Sequence, residues 1–200
     1  MTAAEALSRL AVGRGSVDGH TSDFDYNPRV RPPHARMLRP AAVLVGLQDG
    51  PGGVQVLLTK RASHLRHHPG QIAFPGGKQD SGDPDPEAAA LREAFEEIAL
   101  GAGQATLEGR LNLHETVTGF AVTPVLARID PGFRPQPQPG EVDEVFFVPL
   151  AHVTDLAHYR VERRLWLGAW RQYDVVPWGP YYIWGATARI LRGMALGLAP

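Results

Sequence analysis

The stretch Asp85–Leu100, DPEAAALREAFEEIAL, dictates a helix and at the same time burdens it. Asp85 is a good N-cap, Pro86 suits the first helical position, and Glu87 meets the positive end of the helix dipole. Leu91, Ala94, Phe95 and Ile98 recur at i, i+3, i+4 and i+7, which predicts a buried stripe. Glu93, Glu96 and Glu97 then share the opposite face, three or four residues apart. Like charges so placed cost an isolated helix about 0.2–0.5 kcal/mol per pair. Arg92 is the sole basic residue in the stretch. Two readings follow: a solvated acidic face, or a carboxylate set for a hard divalent cation such as Mg²⁺ or Mn²⁺.

The surroundings of this helix favour the second. Between Tyr26 and Gln79 the chain carries eight basic residues against the single acid Asp49. From Asp80 to Glu97 it carries seven acids against Arg92. An acidic, cation-binding surface beside a basic segment is what a metal-dependent enzyme acting on phosphate esters requires. The bend Gly76–Gly77 just before the helix adds backbone that can approach a metal or phosphate closely.

Bulk properties exclude several alternatives. Two hundred residues suit a single domain with a substantial core. A formal charge of −1 argues against a dedicated nucleic-acid binder. The absence of cysteine removes disulfides, thiolate metal sites and cysteine nucleophiles together. No run approaches a membrane-spanning length, and Glu5 and Arg9 break up the apolar start, so the expectation is a cytoplasmic protein.

Residues 1–40 are rich in Gly, Pro, Arg and Ser and predict a lead-in, partly extended or mobile, after a short helix at about Ala3–Ala11. Residues 41–200 read as the single main domain. AAVLVGLQ and VQVLLTKRA predict strands joined by the turn QDGPGG, and a strand at QIAF runs into the glycine bend. ATLEGRLNLHETV, FAVTPVLARI and VDEVFFVPL predict further strands, the first with Leu107, Gly109, Leu111 and Leu113 on one side. All four tryptophans fall in the C-terminal part, expected to form a twisted hairpin before a last helix at about Gly185–Leu196. Strands with interspersed helices and no regular βαβ alternation indicate an α/β (α+β) fold with a mixed sheet.

Here a family resemblance becomes specific. Gly77–Leu100, GKQDSGDPDPEAAALREAFEEIAL, resembles the signature of the Nudix hydrolases in Gly77, the Arg92-Glu93 pair, Glu96-Glu97 and Leu100. Asp83 stands for the signature's first Glu, eight residues rather than seven separate it from Arg92, and Ala99 replaces the late Gly. The first two departures are typical of the coenzyme A pyrophosphatase branch. For the third, Gly101 offers an alternative left-handed turn. Leu57–Gly77, LLTKRASHLRHHPGQIAFPGG, resembles a second motif of that branch, as do Gly119–Ile129 and Tyr182–Leu191. The resemblance covers about residues 40–195. It implies an α/β/α sandwich and metal-dependent hydrolysis of the diphosphate bond of coenzyme A or its derivatives. The products would be adenosine 3′,5′-bisphosphate and 4′-phosphopantetheine.

On this reading Glu93 and Glu97 are the principal ligands of Mg²⁺ or Mn²⁺, with Glu96 completing the site directly or through water. A backbone carbonyl of Gly76 or Gly77 joins them. Arg92 cannot act as a base and pairs with a carboxylate to fix the geometry. Glu141 and Glu144 are candidates for the general base, with Glu115 a weaker third; the alternative is that these are ordinary loop carboxylates. Arg61, Ser63, Arg66 and Gly70 belong to the upstream motif that the resemblance links to coenzyme A recognition, the arginines as phosphate clamps. Against that stands a pair of exposed arginines flanking a strand. His64, His67 and His68 read as solvated loop residues, the alternative being a metal or proton-transfer group, and His68 is expected to assist substrate binding. Competing functions are hydrolysis of another nucleoside diphosphate derivative, such as ADP-ribose or NADH, and a catalytically silent phosphate-ligand binder. The expected partner is a small molecule rather than nucleic acid or membrane, and the chain a monomer or homodimer.

Overall fold

The computed structural model describes residues 1–12, 19–31, 37–65, 68–166 and 168–199. The chain opens with helix α1 (Ala3–Val12), strand β1 (Thr21–Ser22) and the hairpin of β2 (Arg39–Gly50) and β3 (Gly53–Arg61). Short strands β4 (Ile72–Ala73) and β5 (Gly76–Lys78) lead into helix α2 (Pro86–Ile98). Then come β6 (Ala105–Arg110), β7 (His114–Glu115), β8 (Phe120–Ile129) and β9 (Val142–Pro149). The single turn of α3 (Leu150–Val153) precedes the separate hairpin of β10 (Arg160–Trp166) and β11 (Ala169–Val175), and α4 (Ala186–Leu198) ends the fold.

The sheet is mixed. Its centre is a parallel ladder between β2 and β8, from Arg39↔Phe120 to Gln48↔Ile129. Both strands are apolar on both faces, as strands covered on both sides must be. On one face α2 lays Ala89, Ala90, Ala94 and Ile98 against Ala42, Leu44, Leu57, Val125 and Ala127. On the other, α1, α3 and α4 cover Val45, Leu47, Val56, Leu58 and Val148. Helices on both faces make the expected α/β/α sandwich.

One irregularity in this sheet shapes everything that follows. β2 pairs with β3 only over Leu47–Gly50, and nearer its start takes β5 as partner at Ala41–Val43. β3 continues without β2, between β4 and β9. The two strands diverge, and Pro75 bridges the gap by accepting a hydrogen bond from Leu44 N at 2.8 Å.

The described parts of residues 1–40 share the same core. Ala3, Ala6, Leu7 and Leu10 are buried, and β1 pairs with β7. Thr2 and Glu5 cap α1 reciprocally, through Thr2 N to Glu5 Oε2 at 2.7 Å and Glu5 N to Thr2 Oγ1 at 3.2 Å. Arg9 Nη2 donates to Leu198 O of α4 at 2.9 Å.

Two sequence expectations need adjustment. The strand expected across Leu107–Leu113 is broken into β6 and β7, with a register shift between Leu107 and Gly109 that turns Leu107 outward. Only Trp166 and Trp170 lie in the C-terminal hairpin; Trp178 and Trp184 follow it in isolated bridges. No helix among the described residues is long and apolar enough to cross a membrane.

Candidate active site

Helix α2 begins as its sequence dictates. The Asp85 side chain accepts from Ala88 N at 2.8 Å, and Pro86 occupies the first turn. Its rotation differs from the periodicity reading. Phe95, expected in the buried stripe, is 61% exposed, whereas Glu97, expected on the open face, is 6% exposed. The seam is built from Ala89, Ala90 and Ala94, which allow close approach to the sheet. That brings the following turn, and Glu97 with it, onto the glycine bend of β5. The helix ends at Ala99, which itself takes the left-handed conformation (φ 57°, ψ 35°), so Gly101 is not the residue that makes the turn.

Glu97 is where the separate sequence motifs meet. Its Oε2 accepts from Gly76 N at 3.2 Å, and its Oε1 lies 3.8 Å from Arg61 Nη1 at the end of β3. These two contacts do not offset its burial, which pushes the carboxyl up to about 7. Arg61 is thus neither exposed nor idle, and its Nε is buried without a hydrogen-bond partner among the described residues. Glu93, one turn earlier on α2, is half-buried, and burial raises its carboxyl as well.

The glycines are required by distance. A Cβ at Gly76 would stand 2.6 Å from the backbone Cα of Val43. A Cβ at Gly77 would stand 2.5 Å from Glu93 Oε1, so the missing side chain makes room for that carboxylate against the β5 backbone.

Arg92 organises the outer half of the site. Its Nε and Nη2 grip Asp83 at 3.1 and 2.9 Å, and Nη1 reaches Glu93 Oε1 at 3.0 Å and Glu96 Oε2 at 3.1 Å. Nη2 also donates to Lys78 O at 3.0 Å, fixing the helix to β5. The guanidinium holds the Asp83 carboxyl below its ordinary range. The repulsion expected among the α2 glutamates is therefore relieved from within, since Arg92 stands between Glu93 and Glu96. As they stand, no three acidic or imidazole groups among the described residues converge tightly enough to enclose an ion. The donors nonetheless suit a hard divalent cation. Glu97 is a buried carboxylate short of counter-charge, Glu93 lies against backbone that Gly77 leaves bare, and every available donor is oxygen.

The remaining candidates separate into two groups. The loop after β3 is pinned at its base by Gly70 N to Arg61 O at 3.1 Å, with Gly70 at φ 67°. Ser63 donates through N and Oγ to Asp143 Oδ2 at 2.9 and 2.7 Å, and Ala62 N donates to Glu141 O at 2.8 Å. This ties Glu141 to the Arg61 side of the sheet, where its charge contributes to raising Glu97. Glu144 lies elsewhere, accepting from Tyr181 Oη. Together with Lys60, His68 and Gly70 it lines a cleft of about 870 Å³ that the α2 carboxylates do not reach. Glu115, on β7, accepts from Ser22 Oγ at 3.1 Å and pairs with Arg31 at 3.2 Å, apart from both groups. Arg66 and His67 lie outside the described residues. Asp143 and Tyr181 were missed by sequence reasoning. Asp143 had a signal in the acid-rich run GEVDEV, but the partner that gives it a role comes from a distant segment.

Comparison with known proteins agrees with this geometry. Residues 37–168 match the NUDIX domain family model. The chain is 43% identical over 174 residues to the uncharacterized Nudix hydrolase NudL of Enterobacter sp. strain 638, covering 81% of this chain and 85% of that protein. It is 42% identical over 168 residues to NudL of Salmonella newport strain SL254, covering 79% and 82%. Among solved structures, a Nudix hydrolase from M. smegmatis, RenU, superposes with a TM-score of 0.50 at 31% identity, covering 58% of this chain and 74% of that one. With its glycine bend, its Arg92-centred acidic helix and a match across most of its length, this chain belongs to the Nudix hydrolase family.

Proposed function

We propose that this chain hydrolyses the diphosphate bond of coenzyme A or its derivatives, releasing adenosine 3′,5′-bisphosphate and 4′-phosphopantetheine. The observation that carries the reading is the meeting of Arg61 with Glu97 at 3.8 Å. It brings the upstream motif, whose resemblance points to coenzyme A, to the acidic helix, whose resemblance points to diphosphate hydrolysis.

Nudix hydrolases generally use a divalent metal ion, typically Mg²⁺ or Mn²⁺. Glu93 and Glu97 are its holders in this reading, with Glu96 joining directly or through water. Such an ion screens phosphate charge and makes water more acidic. The chain supplies the rest. Glu141, on the Glu97 side, takes the proton from the attacking water, whose oxygen forms the new bond to phosphorus as the bridging P–O bond breaks. Arg61 opposes the negative charge gathered there, and Arg92 fixes Glu93 and Glu96 relative to β5.

Coenzyme A, ADP-ribose and NADH assayed side by side with Mg²⁺ and with Mn²⁺, with products identified by mass, test the proposal. Preferred cleavage of coenzyme A to the two named products is expected. Preference for either other substrate overturns the coenzyme A reading, and cleavage of none of the three overturns hydrolysis.

A further inference from the structure

The β10–β11 hairpin forms a two-stranded sheet of its own. Arg164 and Arg171 are directly opposite in its register, and both line the 870 Å³ cleft. Like charges in that position are destabilising. No carboxylate relieves them: among the described residues neither arginine has an ion-pair partner. Arg171 Nε and Nη1 are moreover buried without a hydrogen-bond acceptor among the described residues. A guanidinium edge withdrawn from water and left unsatisfied is costly. Arg171 is held there by rings, with its Cζ 4.7 Å from the centre of Trp166 and 5.8 Å from that of Phe24.

The acids of the same cleft are all engaged. Asp174 is met by Tyr26 and Arg189, Asp23 by His114 and Val117 N, and Glu144 by Tyr181. What the cleft lacks is an anion for the hairpin arginines. It also offers flat faces beside them, with Trp166 next to Arg171 and Trp184 edge-on to Tyr173 at 5.1 Å. Its size suits a nucleotide. It also reaches Val43, Lys60 and Phe74, where β2 and β3 diverge, one residue from Arg61.

We propose that Arg164 and Arg171 bind a phosphomonoester that the substrate carries away from its scissile diphosphate, on a nucleoside whose base stacks among the cleft aromatics. For a coenzyme A derivative this group is the 3′-phosphate. The inference deepens the function proposed above and rests on it for the identity of the nucleoside. It places 3′-phosphate recognition on the hairpin rather than on Arg61, which is turned to Glu97.

Two measurements test it. Hydrolysis of coenzyme A and of its 3′-dephospho form is compared in the wild type, Arg164→Gln and Arg171→Gln. KM for coenzyme A is expected to rise at least about tenfold in each variant, with kcat and the dephospho substrate little changed. Arg163→Gln is the control; Arg163 stacks over Trp170 instead and should alter neither substrate. Calorimetric titration with adenosine 3′,5′-bisphosphate and with adenosine 5′-monophosphate gives a readout independent of turnover. The bisphosphate should bind more tightly in the wild type and lose that advantage in both variants. If Arg171→Gln melts early, Arg171→Lys and Arg164→Gln carry the test. Coenzyme A cleavage with no discrimination lost in the variants overturns the hairpin site and leaves the proposed function standing. Arginine-dependent bisphosphate binding without coenzyme A cleavage does the reverse. Equal weakening of all ligands assigns the arginines a structural role and also overturns the site.

Discussion

Arg61, the last residue of β3, stands 3.8 Å from Glu97, a buried residue of α2 that also accepts from the backbone of Gly76. Two segments distant in sequence are thus joined through one carboxylate. If Glu97 is the central ligand of the site, Glu97→Gln should lower kcat on the order of 10²-fold or more at saturating Mg²⁺. The fold should persist, because an amide keeps the Gly76 hydrogen bond and removes a charge that burial disfavours. Steady-state rates with thermal melts decide it, and a variant within threefold of the wild-type rate removes the assignment.

The same burial makes a pH prediction for the metal-free protein. The folded Glu97 carboxyl sits at about 7, above the 4.5 of a free one, so the folded state holds a proton that the unfolded chain releases earlier. This contribution to stability is complete below about pH 4.5 and is lost as pH rises through about 7. Glu93 is shifted in the same direction by the same cause. In chelator, the melting temperature should therefore fall between pH 5 and 8, and fall less in Glu97→Gln. Adding Mg²⁺ at pH 8 should raise it by mass action in the wild type.

What was legible in the sequence was what local chemistry decides. The Asp85 cap, Pro86, the β2–β3 turn and the glycine bend all stand where expected, because each rests on the conformational preference of one or two residues. The exchange of Phe95 for Glu97 was not legible. Periodicity weighs side chains by hydrophobicity, whereas the helix docks by the shape of its alanines. Nor was the docking of α1, since Ala3, Ala6, Leu7 and Leu10 gain their meaning from α4 and the sheet. The same holds for Ser63 with Asp143, and for the two arginines that β10 and β11 set opposite each other.

Asp83 stands where the usual family pattern has glutamate, and both oxygens of its 8% exposed side chain are met by the Nε–Nη2 edge of Arg92. Arg92→Ala would leave that carboxylate without its cation and free Glu93 and Glu96 to repel. A loss of about 1–3 kcal/mol is expected from denaturant unfolding. Arg92→Lys keeps the charge but not the two-point grip and should fall between. Either variant should lose more activity than stability, because Arg92 fixes two carboxylates of the candidate site.

Ala99 holds a backbone conformation that suits glycine, with φ 57°. Its relief should outweigh the extra freedom that glycine gains in the unfolded chain. Ala99→Gly is expected to stabilise by about 0.5–1 kcal/mol, a rise of about 2–3 °C in Tm. Activity should be unchanged, since Ala99 touches none of the candidate groups. A fall in Tm would show that the helix end is held by something other than that turn.

Gly77 gives the most local test of the acidic site. A methyl group there would meet the carboxyl of Glu93 at 2.5 Å, the end of a flexible side chain rather than backbone. Glu93 can swing away, so Gly77→Ala should fold with Tm within about 2 °C of the wild type. The displaced carboxylate would leave its place against β5, and kcat should drop about tenfold or more. Gly76→Ala is the contrasting case, because its Cβ would meet the Val43 backbone at 2.6 Å, which cannot yield without opening the β2–β5 ladder. That variant should lose stability first and activity with it. Full activity in Gly77→Ala would mean that Glu93 does its work from some other position, and the pairing of Glu93 with Glu97 as the two principal ligands would fall.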